Sequence, residues 1–230
     1  MLISYSHSFA FVHVPKTAGV SVHAALYPYA QHVDHYWANR WLSKVGIHVN
    51  HFAPYPLRKF RLHSTAAVLQ EHLPAAVFDD LYKFAFVRNP WDMLVSYFHY
   101  VQQSPSHHRR RSVGKQADFA DYVRYEIRRN KISQTRMLVD GRDRLLVDFV
   151  GRFESLVSDF NWVCTRIGID AALPQVNRSQ RGDYRDLYTD RLASLVGRHF
   201  AADIDRFGYT FENGLGAAES RPAATLRRVA

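Results

Sequence analysis

Two short apolar runs punctuate the chain, and each gives way to a loop and then to helical spacing. Phe9, Ala10, Phe11, Val12 and Val14 form the first run, which predicts a strand covered on both faces. Pro15 ends its ladder, Lys16-Thr17-Ala18-Gly19 is a small-residue turn, and from Val20 onward Val22, Ala25 and Leu26 share one helical face. The second run, Tyr82 to Val87, ends in Arg88-Asn89-Pro90-Trp91-Asp92 and leads into an aromatic helix over Met93 to Tyr100. A third apolar strand is expected over Leu145 to Val150. Between them the pattern predicts a helix over Ser64 to Leu73, with Ser64 or Thr65 as N-cap and Ala67, Leu69 and Leu73 buried. Further helices are expected from the spacing of Phe119, Tyr122, Val123, Glu126 and Ile127, over Leu156 to Ile167, and over Tyr188 to Phe200. Strands alternating with helices in this way predict an α/β fold around a mainly parallel sheet.

Tyr27 to Leu62 breaks the pattern. It is irregular and rich in Tyr, Trp and His, and suits either a sugar-binding cleft or an excursion that caps the core. Residues 1–211 read as one domain, and residues 212–230 have the composition of a flexible tail. An apolar share of 47% with 14% aromatics is enough for a full core, which excludes general disorder. No long apolar run is present to span a membrane, and the N-terminus lacks the pattern of a secretory leader. The single cysteine, Cys164, rules out an internal disulfide and a multi-cysteine metal site, so a cytoplasmic location is expected. Cys164 lies on the amphipathic helix and reads as a small core side chain.

A net charge of +9 implies attraction to polyanions or phosphorylated ligands without choosing among them. The densest basic run, His107 to Arg111 within the loop 107–115, reads as a solvated loop, and no nucleic-acid partner is expected. The two strand–loop–helix corners are more specific. At the first, unpaired amides and the positive end of a helix dipole converge, Gly19 permits close backbone approach, Lys16 adds a point charge, and Thr17 and Ser21 add hydroxyls. At the second, Arg88 has the fork geometry for a phosphate, and Ser96 lies about one helical turn beyond Trp91-Asp92. His63, just before a helix cap, has the chemistry of a general base near neutrality. Asp92 reads as the cap of the helix starting at Met93, while Gln134 and Arg136 either touch an acceptor or cap a helix.

VHVPKTAGVS, followed further on by YKFAFVRNPWDMLVSYF, resembles the sulfotransferases that use 3′-phosphoadenosine 5′-phosphosulfate (PAPS), specifically the heparan- and chondroitin-type carbohydrate group. The resemblance continues through residues 145–169, NRSQRGDYRDLYT and DIDRFGYTF. It implies a P-loop-like three-layer α/β/α sulfotransferase fold. It further implies sulfuryl transfer from PAPS to a hydroxyl, on a glycan or glycolipid, with no metal required. Lys16, Thr17, Ala18, Gly19, Val20 and Ser21 match the loop around the 5′-phosphosulfate, where Val20 replaces the more usual Thr. Arg88 and Ser96 match the 3′-phosphate pair, and Arg178 and Ser179 match a loop that closes over the cofactor. His63 matches the catalytic base, with His48 and His51 as rivals, and Lys16 matches the group beside the leaving oxygen.

Two other readings use the same features. A nucleotide kinase or NTPase would require G-x-x-x-x-G-K-[ST], whereas here the lysine precedes the glycine and no acidic strand end follows. A non-catalytic polyanion-binding protein would have no use for His63.

Overall fold

In the computed structural model, residues 1–31, 37–45, 60–104, 110–114, 118–174 and 182–212 are described. Among them, β1 (Leu2–Ser4), β2 (Phe9–Val12), β3 (Tyr82–Val87) and β4 (Phe149–Arg152) form one sheet in that spatial order. β1 is antiparallel to β2, while β2, β3 and β4 run parallel. α1 (Gly19–Leu26), α2 (Asn39–Leu42), α3 (Ala66–His72) and α4 (Ala75–Asp80) lie between β2 and β3. α5 (Pro90–Gln103), α6 (Arg110–Val113), α7 (Phe119–Arg129) and α8 (Thr135–Leu138) lie between β3 and β4, and α9 (Leu156–Ile167), α10 (Asp190–His199) and α11 (Ala201–Phe207) follow β4.

The strands are buried on both faces, and their two-residue period divides the core. Phe9, Phe11, Phe84, Phe86 and Phe149 meet α1 and α9 on one side. Ala10, Val12, Ala85 and Val87 meet α3, α5, α7, α8 and α10 on the other. Bulky rings fill the face with two helices, and smaller side chains let the larger helical layer approach. The result is a mainly parallel sheet between two helical layers. Gly151 is required by this packing: a Cβ there would lie 2.5 Å from the Phe86 ring.

Several elements depart from the sequence pattern. β1 was not signalled, because a three-residue strand carries too little alternation. α4, immediately before β3, was not signalled by the pattern. Its last turn is closed by the buried Lys83, whose Nζ donates to the carbonyls of Phe78 (3.0 Å) and Leu81 (2.6 Å). β4 starts later than the expected Leu145, because residues 139–145 fold back on themselves. Leu145 bridges Val139, and Leu146 N donates to Leu138 O at 2.8 Å. α5 starts at Pro90 rather than Met93, capped by Asn89 rather than Asp92: Asn89 Oδ1 accepts from Trp91 N at 3.0 Å. The proposed tail falls outside the described residues except for Glu212.

Candidate active site

Both strand–loop–helix corners open at the C-terminal edge of the parallel strands, where ligands collect in open α/β sheets. In the first, Lys16 and Ala18 take left-handed φ values of 67° and 59°. Buried Thr17 closes the loop by donating from Oγ1 to Val14 O at 2.9 Å, so its hydroxyl hydrogen serves the loop itself. Ala18 occupies the cap of α1 without a side-chain cap hydrogen bond, and Ser21 N bonds back to Ala18 O at 2.9 Å. Alternating backbone hand at an uncapped helix start builds a concave cluster of amides suited to an anion. Val20 is exposed on the first turn and Ser21 is buried.

Gly19 has a second reason to be glycine beyond the one the sequence suggested. It does not carry the loop's positive φ; instead, a Cβ there would lie 2.0 Å from the ring of His13. His13 continues the Phe9–Phe11 face of β2, stacked on Phe11 at 5.7 Å, and is only 3% exposed.

The second corner is held from three directions. Gln134, fully buried, accepts from Arg88 N at 2.8 Å and donates to Arg88 O at 2.7 Å. Asp203 on α11 fixes Gln134 in turn, accepting its backbone N–H at 2.9 Å. Glu154 accepts from Asn89 N at 2.8 Å and from the Tyr209 hydroxyl at 3.1 Å, and burial pushes its carboxyl up from the usual range. Asn89 Nδ2 donates to Thr210 O at 3.0 Å and Tyr188 OH to Trp91 O at 2.9 Å, so the C-terminal segment packs over this corner.

The Arg88 guanidinium stacks on Phe153, 3.7 Å from the ring centroid. It donates to Asp92 Oδ2 from Nε at 2.7 Å and approaches it from Nη2 at 2.6 Å, while Nη1 donates to Lys16 O at 3.1 Å. Lys16 Nζ rests over the ring of Tyr100 at 4.0 Å. Asp92, Ser96 and Tyr100 stand at i, i+4 and i+8 on α5. Ser96 therefore lies one turn from the residue that receives Arg88 and one turn from the residue that receives Lys16. The two corners share a single stripe of α5 about 12 Å long.

His63 precedes α3, whose cap is Thr65. Its Nδ1 lies 3.0 Å from His13 O, and its ring meets the His13 ring edge-on at 4.7 Å. A carbonyl only accepts, so Nδ1 carries the hydrogen, and in the neutral imidazole Nε2 is the acceptor. Burial pushes the His13 imidazole down to about 3, with the charge of His63 as the next cause.

Lys16, Arg88, Ser96 and the loop 16–21 are thus brought together, with His63 joined to them through His13. His48, His51, Arg178 and Ser179 lie outside the described residues, as do residues 107–109 and 115 of the basic loop, whereas Arg110–Val113, expected as loop, form α6. Arg136 donates to Asn130 O at 3.2 Å at the end of α7, well suited to capping. Cys164 is buried in the core, and burial raises its thiol. His13 and Glu154 were missed, and Gln134, expected to touch an acceptor or cap a helix, instead holds the Arg88 backbone. His13 was legible from the odd-numbered face of β2, whereas Gln134 and Glu154 reach their partners only through the tertiary fold.

Among the described residues, no helix is long and apolar enough to cross a membrane. The profile of the sulfotransferase family matches residues 1–210 of the chain. A solved structure of the mouse sulfotransferase SULT7A1 complexed with PAP is similar at 13% identity, covering 88% of this chain and 85% of that one with a TM-score of 0.49. No curated protein matches the sequence.

Proposed function

The chain belongs to the sulfotransferase family, and from that membership we propose that it moves a sulfuryl group from PAPS to a hydroxyl of a carbohydrate acceptor, with His63 as general base. The observation that carries the reading is the hydrogen bond from Arg88 Nη1 to Lys16 O, which unites two anion-binding corners over one stripe of α5. A nucleotide with a 5′-phosphosulfate and a separate 3′-phosphate needs two such corners at a short, fixed separation.

The residues present fit that donor. The amides and dipole at the start of α1, with Lys16, would receive the phosphosulfate, and Thr17, Ala18, Gly19, Val20 and Ser21 shape the loop around it. Arg88 and Ser96 would receive the 3′-phosphate, Arg88 exchanging part of its Asp92 contact for the new anion. We assign Arg178 and Ser179 to the same donor on the resemblance alone. When bound, PAPS supplies the sulfuryl group and a phosphate leaving group. Lys16 Nζ would neutralise the charge that develops on that phosphate, and His63 Nε2 would take the proton of the acceptor hydroxyl. Charge neutralisation is assigned to the lysine and the helix start, and Asp92, a carboxylate at the neighbouring corner, is engaged by Arg88.

A carbohydrate acceptor is supported by the exposed aromatic side chains Tyr27, Trp37 and Trp41, the last with Lys44 Nζ over its ring at 4.9 Å. Residues 1–211 are proposed as the catalytic domain, residues 212–230 as a tail, and the cytoplasm as its compartment. The test is a radiolabelled-PAPS screen against glycans, glycolipids and small alcohols. Transfer to glycans or glycolipids but not to small alcohols is the expected result. Label recovered on none of them would overturn the assignment.

A further inference from the structure

We propose that His13 is a positioning residue that fixes the acceptor-side base relative to the donor loop; this rests on the reading of His63 as that base. His13 is wedged between the two. On one side its ring fills the space that a Cβ on Gly19 would need, at the first residue of α1. On the other it meets the His63 ring at 4.7 Å, while its own carbonyl receives His63 Nδ1 at 3.0 Å. Its third side is stacked on Phe11 of β2. The imidazole therefore has no room to turn, and it passes the placement of the strand end to both the donor loop and His63.

The chemistry of His13 suits a spacer and not a proton carrier. It is 3% exposed, and its Nδ1 has no hydrogen-bond partner among the described residues. An orphaned ring nitrogen at a fully packed site has a cost that an apolar side chain would avoid. A histidine retained there needs a use for its shape and dipole, and the two contacts to His63 supply one. The titratable groups facing His13 are His63, the amino group of Met1 and His23. Buried and neutral, His13 adds no positive charge beside His63 that would disfavour uptake of a proton there.

The clamp acts on two properties of His63. The carbonyl selects the Nδ1–H tautomer, leaving Nε2 as acceptor, and the edge-on ring contact restricts the side-chain rotation that would swing Nε2 away. Partners that orient metal-ligating histidines change activity by about 10- to 100-fold when removed, and an effect of the same order is expected here.

The experiment reads the ring nitrogens of His63 by 15N NMR in the full chain at pH 8, assigned by comparison with His63→Gln. In the wild type Nδ1 should show the protonated signature and Nε2 the unprotonated one. In His13→Asn, which keeps the backbone carbonyl but removes the ring, His63 should turn away from that carbonyl and the two signals should move toward the averaged pattern of an imidazole exchanging between its two tautomers. Calorimetric binding of PAP is followed in parallel to confirm that the variant is folded. An unchanged His63 signature in a folded His13→Asn variant overturns the proposal, as does a wild-type His63 protonated on Nε2. If His13→Asn fails to fold, His13→Gln, longer and closer in reach to the ring, takes its place with the same outcomes. Because the signature needs no acceptor, it stands apart from the base assignment, which His63→Ala turnover tests separately.

Discussion

The carbonyl oxygen of Lys16 accepts a hydrogen bond from the buried guanidinium of Arg88 at 3.1 Å, across two loops that are far apart in sequence. The same lysine extends its ammonium over Tyr100, and the same arginine is paired with Asp92, so the backbone bond and the helix stripe between them set the spacing of the two cationic groups. That spacing is the structural basis for reading the site as a cradle for one ligand with two anionic ends.

Lys16→Ala should lower donor-dependent sulfuryl transfer by about 100-fold or more, the scale of losing one preorganised contact to charge developing in the transition state. The side chain rests on Tyr100 and its φ is already left-handed, so the fold should survive. Initial rates with radiolabelled PAPS measure this. Wild-type turnover in the variant would remove Lys16 from the chemistry.

Gln134→Ala should destabilise the protein by about 2 kcal/mol or more, because both the N–H and the carbonyl of Arg88 lose a buried partner. For a chain of this size that corresponds to a Tm lower by about 5 °C or more. A thermal melt within 1 °C of wild type, on the order of the error of such scans, would show that Arg88 is held by other means.

Gly19→Ala should weaken PAP binding by about tenfold or more, since the new methyl group and the His13 ring claim the same space. Restoring room with His13→Ala in the same chain should recover part of that loss. If the double variant binds no better than Gly19→Ala, the clash lies elsewhere.

Stability should fall with acid in a window set by His13. Its unfolded value is 6.5 and its folded value is about 3, so below pH 6.5 the unfolded chain takes up a proton that the folded chain refuses. The contribution of His13 is complete above pH 6.5 and is lost progressively as the pH falls toward 3. Denaturant midpoints between pH 7 and 4 should drop more steeply for the wild type than for His13→Asn. Parallel slopes in the two proteins would mean that His13 is not buried in its neutral form.

Much of the fold was written in the hydrophobic pattern. β2 and β3 are continuous apolar runs because both faces are covered, and α3, α7 and α9 carry caps or clear amphipathic spacing. What escaped the pattern depends on partners distant in sequence. The turn at 139–145 delays β4, and α5 starts at Pro90, so Asn89 caps it and Asp92 stands within its first turn. The same division runs through the site. Lys16, Arg88 and His63 stand at positions that local sequence marks, whereas Gln134, Glu154 and the His13–His63 contact exist only once the sheet is assembled. Thr17 and Gly19 were recognisable as loop residues; that one closes the turn and the other makes room for a ring was not legible before the fold.

The central claim is most directly tested by comparing calorimetric affinities for PAP and AMP, which differ only in the 3′-phosphate, in the wild type and in Arg88→Ala. Charge-assisted hydrogen bonds to that phosphate predict PAP binding about 10- to 100-fold tighter than AMP in the wild type, with most of that margin gone in the variant. Equal affinity for the two nucleotides, or a margin that Arg88→Ala leaves intact, would contradict the two-corner cradle.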